Sequence, residues 1–285
     1  MIDLRSDTVT LPTPEMWEAM NDASLKDNTL EGDPTVIELE ETAASLAGKE
    51  AGLFVCSGTM GNLIAGLVNS ANGDELITDK DAHILNSEND GLSKLGNLRC
   101  KTISSFRGEM DLEELRSHVN ASAAGKKPIA LICMESSHNF CGGYVPSLSY
   151  MSQVYGLAKA HDIAVHTDGA RIFNAASYLN VDLKDIAQYT DSLALCLSKG
   201  LSAPFGSVLV GSAEFIEQAR FYRKMLGGGL RQGGIMAAAG LVALNTMAGR
   251  LPDDHDVMLQ LWRLLRELDH NLVDEVQPHT NILRL

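Results

Sequence analysis

The chain has 285 residues, of which 45% are hydrophobic and 21% charged, a composition typical of soluble globular proteins. Its formal net charge of −14 argues against nucleic acid or an anionic membrane as a partner. Charged residues near the N-terminus are unlike a secretory signal, and five cysteines without paired spacing favour a reduced, cytoplasmic protein.

Predicted strands and helices alternate along the chain. The strands are short and apolar, and they cover residues 52–56, 75–78, 100–103, 127–134, 162–167, 192–198 and 206–211. Helical apolar spacing covers residues 36–46, 60–69, 111–119, 149–161, 213–225, 235–247 and 253–271. A last strand is predicted to include 280–285. Apolar strands separated by helices indicate an α/β fold with a mostly parallel sheet covered on both faces.

Two ionisable residues follow predicted strands that are about one β-α-β unit apart. Asp168 follows the strand over 162–167, and Lys199 ends the run over 192–198. Ligands of open α/β sheets bind at the carboxyl ends of the strands. A lysine that forms a Schiff base, beside a carboxylate that pairs with a pyridine nitrogen, suits pyridoxal 5′-phosphate (PLP). Each residue alone also fits a structural role, Asp168 as a helix N-cap and Lys199 as a lysine at a sheet edge.

Two segments could bind the phosphate of such a cofactor. Ser57-Gly58-Thr59 lies at a strand-to-helix turn, where backbone N–H groups and the helix dipole favour an anion. The alternative is an ordinary N-cap. The glycine-rich run 227–234 places flexible backbone beside Arg231, which suits phosphate but equally suits a hinge or a subunit contact.

His83 follows the second predicted strand, with Glu88 five residues later. A flat imidazole there could stack on a cofactor ring or move protons, and the alternative is a structural histidine. No group of histidines and carboxylates has metal-ligand spacing, so no metal is predicted.

Taken together, these motifs resemble the low-specificity L-threonine and L-allo-threonine aldolases. The resemblance runs in order along nearly the whole chain through Asp3-Leu-Arg-Ser-Asp-Thr8, Asp33-Pro-Thr35, Gly58-Thr59, Ala82-His83, Glu135 with His138-Asn139, Asp168-Gly-Ala-Arg-Ile-Phe-Asn174, Leu197-Ser-Lys-Gly-Leu201 and Gly227-Gly-Gly-Leu-Arg-Gln232. It implies the aspartate-aminotransferase-like fold, fold type I of the PLP enzymes.

The resemblance implies roles at the cofactor. Lys199 would form the Schiff base, Asp168 would pair with the ring nitrogen, and His83 would stack on the ring. The other implied cofactor-binding residues are Gly58, Thr59, Arg171 and Arg231.

The resemblance also implies a substrate and a reaction. Ser6 and Arg171 would bind the substrate carboxylate, and His83 with Glu88 would help deprotonate the β-hydroxyl. The reaction would be retro-aldol cleavage of L-threonine or L-allo-threonine to glycine and acetaldehyde, in a homotetramer with active sites at subunit interfaces. The alternatives are a related amino-acid racemase or β-eliminating lyase, or an inactive PLP-binding scaffold.

Three parts of the chain are expected. Residues 1–32 would form an N-terminal arm, 33–250 the large PLP-binding domain, and 251–285 the start of an incomplete small C-terminal α/β domain. In the arm, Leu30-Glu31-Gly32 stands where the family often has a tyrosine before the Asp-Pro-Thr motif.

Overall fold

The computed structural model describes residues 3–71, 73–123 and 128–285. Its strands are β1 (Ala51–Val55), β2 (Glu75–Asp79), β3 (Arg99–Ile103), β4 (Ser105–Phe106), β5 (Glu109–Met110), β6 (Ile129–Glu135), β7 (Ala164–Gly169), β8 (Ser192–Cys196) and β9 (Ser207–Gly211). Its α-helices are α1 (Pro14–Asn21), α2 (Pro34–Ala47), α3 (Gly58–Asn69), α4 (His83–Asn86), α5 (Gly91–Gly96), α6 (Leu112–Ala123), α7 (Leu148–Lys159), α8 (Ile172–Leu179), α9 (Leu183–Ala187), α10 (Ala213–Met225), α11 (Gly234–Val242) and α12 (Leu251–Leu268).

Seven strands form the central sheet, in the order β1-β9-β8-β7-β6-β2-β3. The run from β8 to β3 is parallel, whereas β9 is antiparallel to both β8 and β1. The predicted α/β fold with a mostly parallel sheet is therefore confirmed. Parallel pairing brings the carboxyl ends of β2, β6, β7 and β8 to one edge, where the predicted site residues follow them.

Side-chain caps explain why several helices begin where the sequence predicts. The carboxylate of Asp33 accepts hydrogen bonds from the N–H groups of Thr35 and Val36 at the start of α2. Asp111 caps α6 in the same way, through the N–H groups of Glu113 and Glu114. These bonds satisfy donors that the first turn of a helix leaves unpaired.

The edge strand β1 is protected by side chains rather than by another strand. The N–H of Phe54 donates to Glu40 Oε1 at 2.8 Å, and Arg223 Nη1 donates to the Phe54 carbonyl at 2.9 Å. An unpaired sheet edge is open to pairing with another chain, and these bonds block it. They also hold the strand that leads into the Ser57 turn.

The helical run Gly234–Leu268 is, within the described ranges, long and apolar enough to span a membrane by length and composition alone. Its first part, α11, packs on α1 and α2. Ala237, Ala239 and Ala243 are fully buried in the main core. This burial accounts for the apolar composition of α11.

Several predicted elements differ from those observed, and two of the differences lie near the C-terminus. The prediction of a strand in 280–285 was wrong, because side chains attach this segment to a loop: Thr280 Oγ1 donates to the Gly143 carbonyl at 3.0 Å, and Arg284 Nη1 to that of Phe140 at 2.9 Å. Helix α12 ends at Leu268 rather than near residue 271, since Asp269 is extended. The predicted start of the fourth strand at residue 127 lies outside the described residues.

Candidate active site

Asp168 lies near the carboxyl end of β7 and is buried. Its register partner on β6 is Glu135, and β8 lies on its other side. The next residue has to be small, because a Cβ on Gly169 would come within 2.7 Å of the Ala194 carbonyl oxygen. The Asp-Gly pair therefore lets β7 and β8 approach closely where the carboxylate is presented.

Three side chains lie around the Asp168 carboxylate, and together with it they form what we call the ring cluster: Asn62, His83, Glu88 and Asp168. Asn62 Nδ2 donates to Asp168 Oδ2 and to Glu88 Oε1, each at 2.9 Å. His83 Nδ1 lies 3.0 Å from Glu88 Oε1 and 4.0 Å from Asp168 Oδ2. The structure thus brings together three residues that the sequence predicted.

Asn62 was missed by the sequence analysis. It lies on α3, only three residues after Thr59, and its polar side chain interrupts the apolar face of a helix whose neighbours Gly61 and Ile64 are buried. A buried asparagine needs hydrogen-bond partners, and that requirement is the signal the sequence offered.

The charge of His83 is set by this cluster. The hydrogen bond to Glu88 raises the pKa of His83 above its ordinary 6.5, against the opposing effect of burial, and the charge of Asp168 adds to the rise. The backbone N–H of His83 donates to Glu135 Oε2 at 2.7 Å, which fixes the start of α4. The imidazole is therefore more basic than a free histidine and is held in a defined orientation.

The ligand atoms of His83, Glu88 and Asp168 lie within 4.8 Å of one another, a spacing compatible with a metal ion. This grouping could not be read from the sequence, since the residues come from separate segments. The inner oxygens of both carboxylates already accept hydrogen bonds from Asn62. The absence of a metal stays a prediction.

Lys199 lies three residues beyond the end of β8 and is half-buried. Its backbone carbonyl accepts a hydrogen bond from Thr10 Oγ1 at 2.8 Å, so the N-terminal arm holds this turn. Within the described ranges its amine has no hydrogen-bond partner, although its charge helps to lower the pKa of Asp7. An amine without a partner at this edge is available to a ligand.

Arg171 follows Asp168 and is buried together with Asp7. Its Nε and Nη2 donate to the two oxygens of Asp7 at 2.8 and 2.7 Å, and Nη1 donates to Asn139 Oδ1 at 3.1 Å. Burial would lower the pKa of Arg171, but the hydrogen bonds and charge of Asp7 raise it. Asp7 and Asn139 were not predicted as site residues, although both lie in the sequence motifs.

Ser6 is exposed, and its hydroxyl accepts hydrogen bonds from Thr8 N and Thr8 Oγ1. It caps a short 3₁₀ turn that begins at Asp7. The structure places Ser6 next to the partner of Arg171.

Residues Ser57-Gly58-Thr59 form what we call the anion turn. Ser57 Oγ accepts from Met60 N and caps α3. The N–H groups of Gly58 and Thr59 have no partner among the described residues, and they point from the positive end of a twelve-residue helix. The turn is therefore an N-cap that also leaves backbone donors for an anion, and phosphate binding there stays a prediction.

Arg231 does not contact the anion turn within this chain. Its side chain is 65% exposed, lies 3.5 Å from Asp27 and hydrogen-bonds to Thr29 Oγ1. The glycine-rich run begins close to the turn, since a Cβ on Gly228 would come within 2.6 Å of Met60 Sδ.

PLP needs an amine, a partner for its ring nitrogen and a phosphate site. The unpartnered amine of Lys199, the buried carboxylate of Asp168 and the anion turn fit these three requirements in that order. The fold and this donor set define the class: a PLP-dependent enzyme of the α/β type.

The chain belongs to the beta-eliminating lyase family, whose model matches residues 3–285. Enzymes of this family use PLP. Low-specificity L-threonine aldolase 1 of Arabidopsis thaliana is 43% identical over 99% of this chain and 80% of its own length. The low specificity L-threonine aldolase of Escherichia coli K12 is 40% identical over 99% of this chain and 84% of its own. A solved protein from Exiguobacterium sp. 255-15 shares the fold, with a TM-score of 0.83 at 22% identity over 98% of this chain and 80% of that protein.

Proposed function

We propose that this protein is a PLP-dependent aldolase that cleaves L-threonine and L-allo-threonine to glycine and acetaldehyde. The observation that carries the proposal is the His83–Glu88 pair, in which His83 Nδ1 lies 3.0 Å from Glu88 Oε1 and 4.0 Å from Asp168 Oδ2. Breaking the Cα–Cβ bond of a β-hydroxy amino acid requires a base for the hydroxyl proton. The aldolases named above, at 43% and 40% identity, support the same reaction.

Residues of three segments would hold the cofactor. Lys199 offers its amine to the aldehyde group, Asp168 would hold a proton on the ring nitrogen, and the N–H groups of Gly58 and Thr59 would bind the phosphate. When bound, PLP supplies an electron sink for the charge left on Cα as the carbon–carbon bond breaks. Asp168 is suited to this role because it is buried and hydrogen-bonded, so that its charge is not dissipated by water.

The proton of the β-hydroxyl would go to His83. In the neutral imidazole, Nδ1–H donates to the carboxylate of Glu88, which leaves Nε2 as the basic nitrogen. Glu88 then stabilises the imidazolium that forms when Nε2 takes the proton. The same hydrogen bond raises the pKa of His83, which strengthens it as a base.

The substrate carboxylate would meet Arg171. A guanidinium has five N–H groups, and three of these are donated to Asp7 and Asn139, so Nη1 and Nη2 each keep one. Ser6, adjacent to Asp7, would supply a hydroxyl. The exposed Arg231 suits a homotetramer in which it reaches the anion turn of another copy. We place this enzyme in the cytoplasm.

Product analysis tests the reaction. Purified protein with added PLP is given L-threonine, L-allo-threonine, L-serine and L-alanine separately. We expect glycine and acetaldehyde from both threonine diastereomers, and no measurable turnover in Lys199→Ala. Lys94→Ala, which removes an exposed lysine on α5, serves as the matched control and should keep full activity. Pyruvate with ammonia from L-serine would instead identify a β-eliminating lyase, D-alanine would identify a racemase, and bound cofactor without turnover would identify an inactive scaffold.

A further inference from the structure

Two buried polar residues outside the predicted site extend the ring cluster into the protein core. His166 on β7 places its Nε2 3.0 Å from Asn62 Oδ1, and its Nδ1 lies 2.9 Å from Ser192 Oγ on β8. His166 and Ser192 are fully buried and Asn62 is 1% exposed. The three residues form one continuous line of hydrogen bonds that ends on Asp168 and Glu88.

The direction of every bond in this line is determined by chemistry. Carboxylates only accept, so the amide of Asn62 must turn its Nδ2 hydrogens to Asp168 and Glu88 and its Oδ1 to His166. His166 must then carry its proton on Nε2, and its bare Nδ1 accepts from the hydroxyl of Ser192. Burial lowers the pKa of His166 from its ordinary 6.5 to about 4, which keeps the ring neutral as this pattern requires. All bonds therefore donate toward the two carboxylates.

We propose that Asn62 and His166 are positioning residues that hold Asp168 and Glu88 in their working geometry. This inference rests on the proposed function, since it takes Asp168 as the partner of the ring nitrogen and Glu88 as the partner of the base. Asn62 bridges both carboxylates with a single nitrogen, so one side chain sets where each stands relative to the other. His166 in turn locks the amide in the orientation that points its hydrogens outward.

The neutrality of the line matters for the chemistry. A lysine or arginine in place of Asn62 would neutralise Asp168 and compete with the protonated ring for its charge. Neutral donors stabilise a buried carboxylate while leaving its charge available to a ligand. The line thus supports a buried carboxylate without adding a positive charge to the site.

A matched pair of variants separates positioning from simple packing. Glutamine at position 166 places an amide N–H close to where His166 has Nε2–H. Methionine has nearly the same shape as glutamine but no hydrogen-bond donor. We expect His166→Met to lower kcat for L-threonine about tenfold, while His166→Gln stays within about threefold of the parent. Asn62→Ala should lower kcat roughly ten- to a hundredfold, because it removes hydrogen bonds to two charged groups. In each affected variant KM for L-threonine should change less than about twofold, since Asn62 and His166 are both buried behind the two carboxylates.

Cofactor binding without substrate provides a second readout. Titration with PLP, followed by absorbance, should show weaker binding in Asn62→Ala and His166→Met than in His166→Gln, with thermal melting recorded for each protein. Equal kcat and equal PLP affinity for the glutamine and methionine variants would overturn the proposal, as would parent-like values in Asn62→Ala. If a His166 variant does not fold, the kcat and PLP affinity of Asn62→Ala test the proposal. A parent protein that binds PLP but cleaves neither threonine diastereomer would instead contradict the proposed function, and the PLP titrations would still test the positioning role.

Discussion

The ring cluster and the anion turn lie at the same sheet edge but are built differently. In the ring cluster, Glu88 and Asp168 are buried, and Asn62 and His83 satisfy them within this one chain. In the anion turn, Thr59 is exposed, the donors are backbone N–H groups, and the predicted cation Arg231 pairs elsewhere. A buried charge needs partners already in place, whereas a partly exposed anion site can depend on backbone, helix dipole and water.

The largest effect is expected at the ring cluster, where Asp168 is buried. Asp168→Asn keeps the shape of the side chain but removes the charge that would hold a proton on the ring nitrogen. We expect the protein to bind PLP and kcat for L-threonine to fall about a hundred- to a thousandfold, which corresponds to breaking a buried ion pair. Steady-state kinetics at saturating PLP measure this, with the exposed Asp90→Asn as control. An unchanged kcat would remove Asp168 from the mechanism.

A smaller and different effect is expected at the anion turn. Thr59→Ala removes a hydroxyl beside the proposed phosphate site and leaves the backbone donors in place. PLP affinity should fall about five- to tenfold, as for the loss of one hydrogen bond, with kcat nearly unchanged once PLP is saturating. Absorbance titration against kinetics at high PLP separates the two quantities. A large fall in kcat at saturating PLP would show that the ring cluster and the anion turn do not act separately.

The smallest effect is expected from Glu88→Gln, and the quantity to measure is the pKa of His83 rather than kcat. In Glu88→Gln the pKa of His83 should fall toward 6.5, because the hydrogen bond to a carboxylate that raises it is lost. NMR titration of the His83 ring against pH measures this. Since the folded-state pKa is raised, the His83–Glu88 pair stabilises the parent fold fully below pH 6.5, and this contribution is lost as pH rises through the raised pKa. The variant should lack that pH-dependent part of the free energy of unfolding, and an unmoved His83 pKa would contradict the pairing.

Much of the fold could be predicted because its signals are local. Apolar runs of strand length and the caps Asp33, Ser57 and Asp111 lie next to the elements they define. The segment over 280–285 could not be assigned in this way. Its composition suits a strand, but its hydrogen bonds go to the loop at residues 140–143, which is distant in sequence.

The site residues likewise divide into those that local sequence could predict and those that it could not. The positions of Lys199 and Asp168 after two parallel strands suggested a PLP site, because chain order brings such ends to one edge, and the other motifs and the family resemblance supported it. Only the tertiary structure showed that Arg171 donates hydrogen bonds to Asp7. It also showed that Asn62 donates to both Asp168 and Glu88, and that His166 is hydrogen-bonded to Asn62. These pairings join residues from separate segments, and their strength depends on burial away from water, which no local pattern of residues determines.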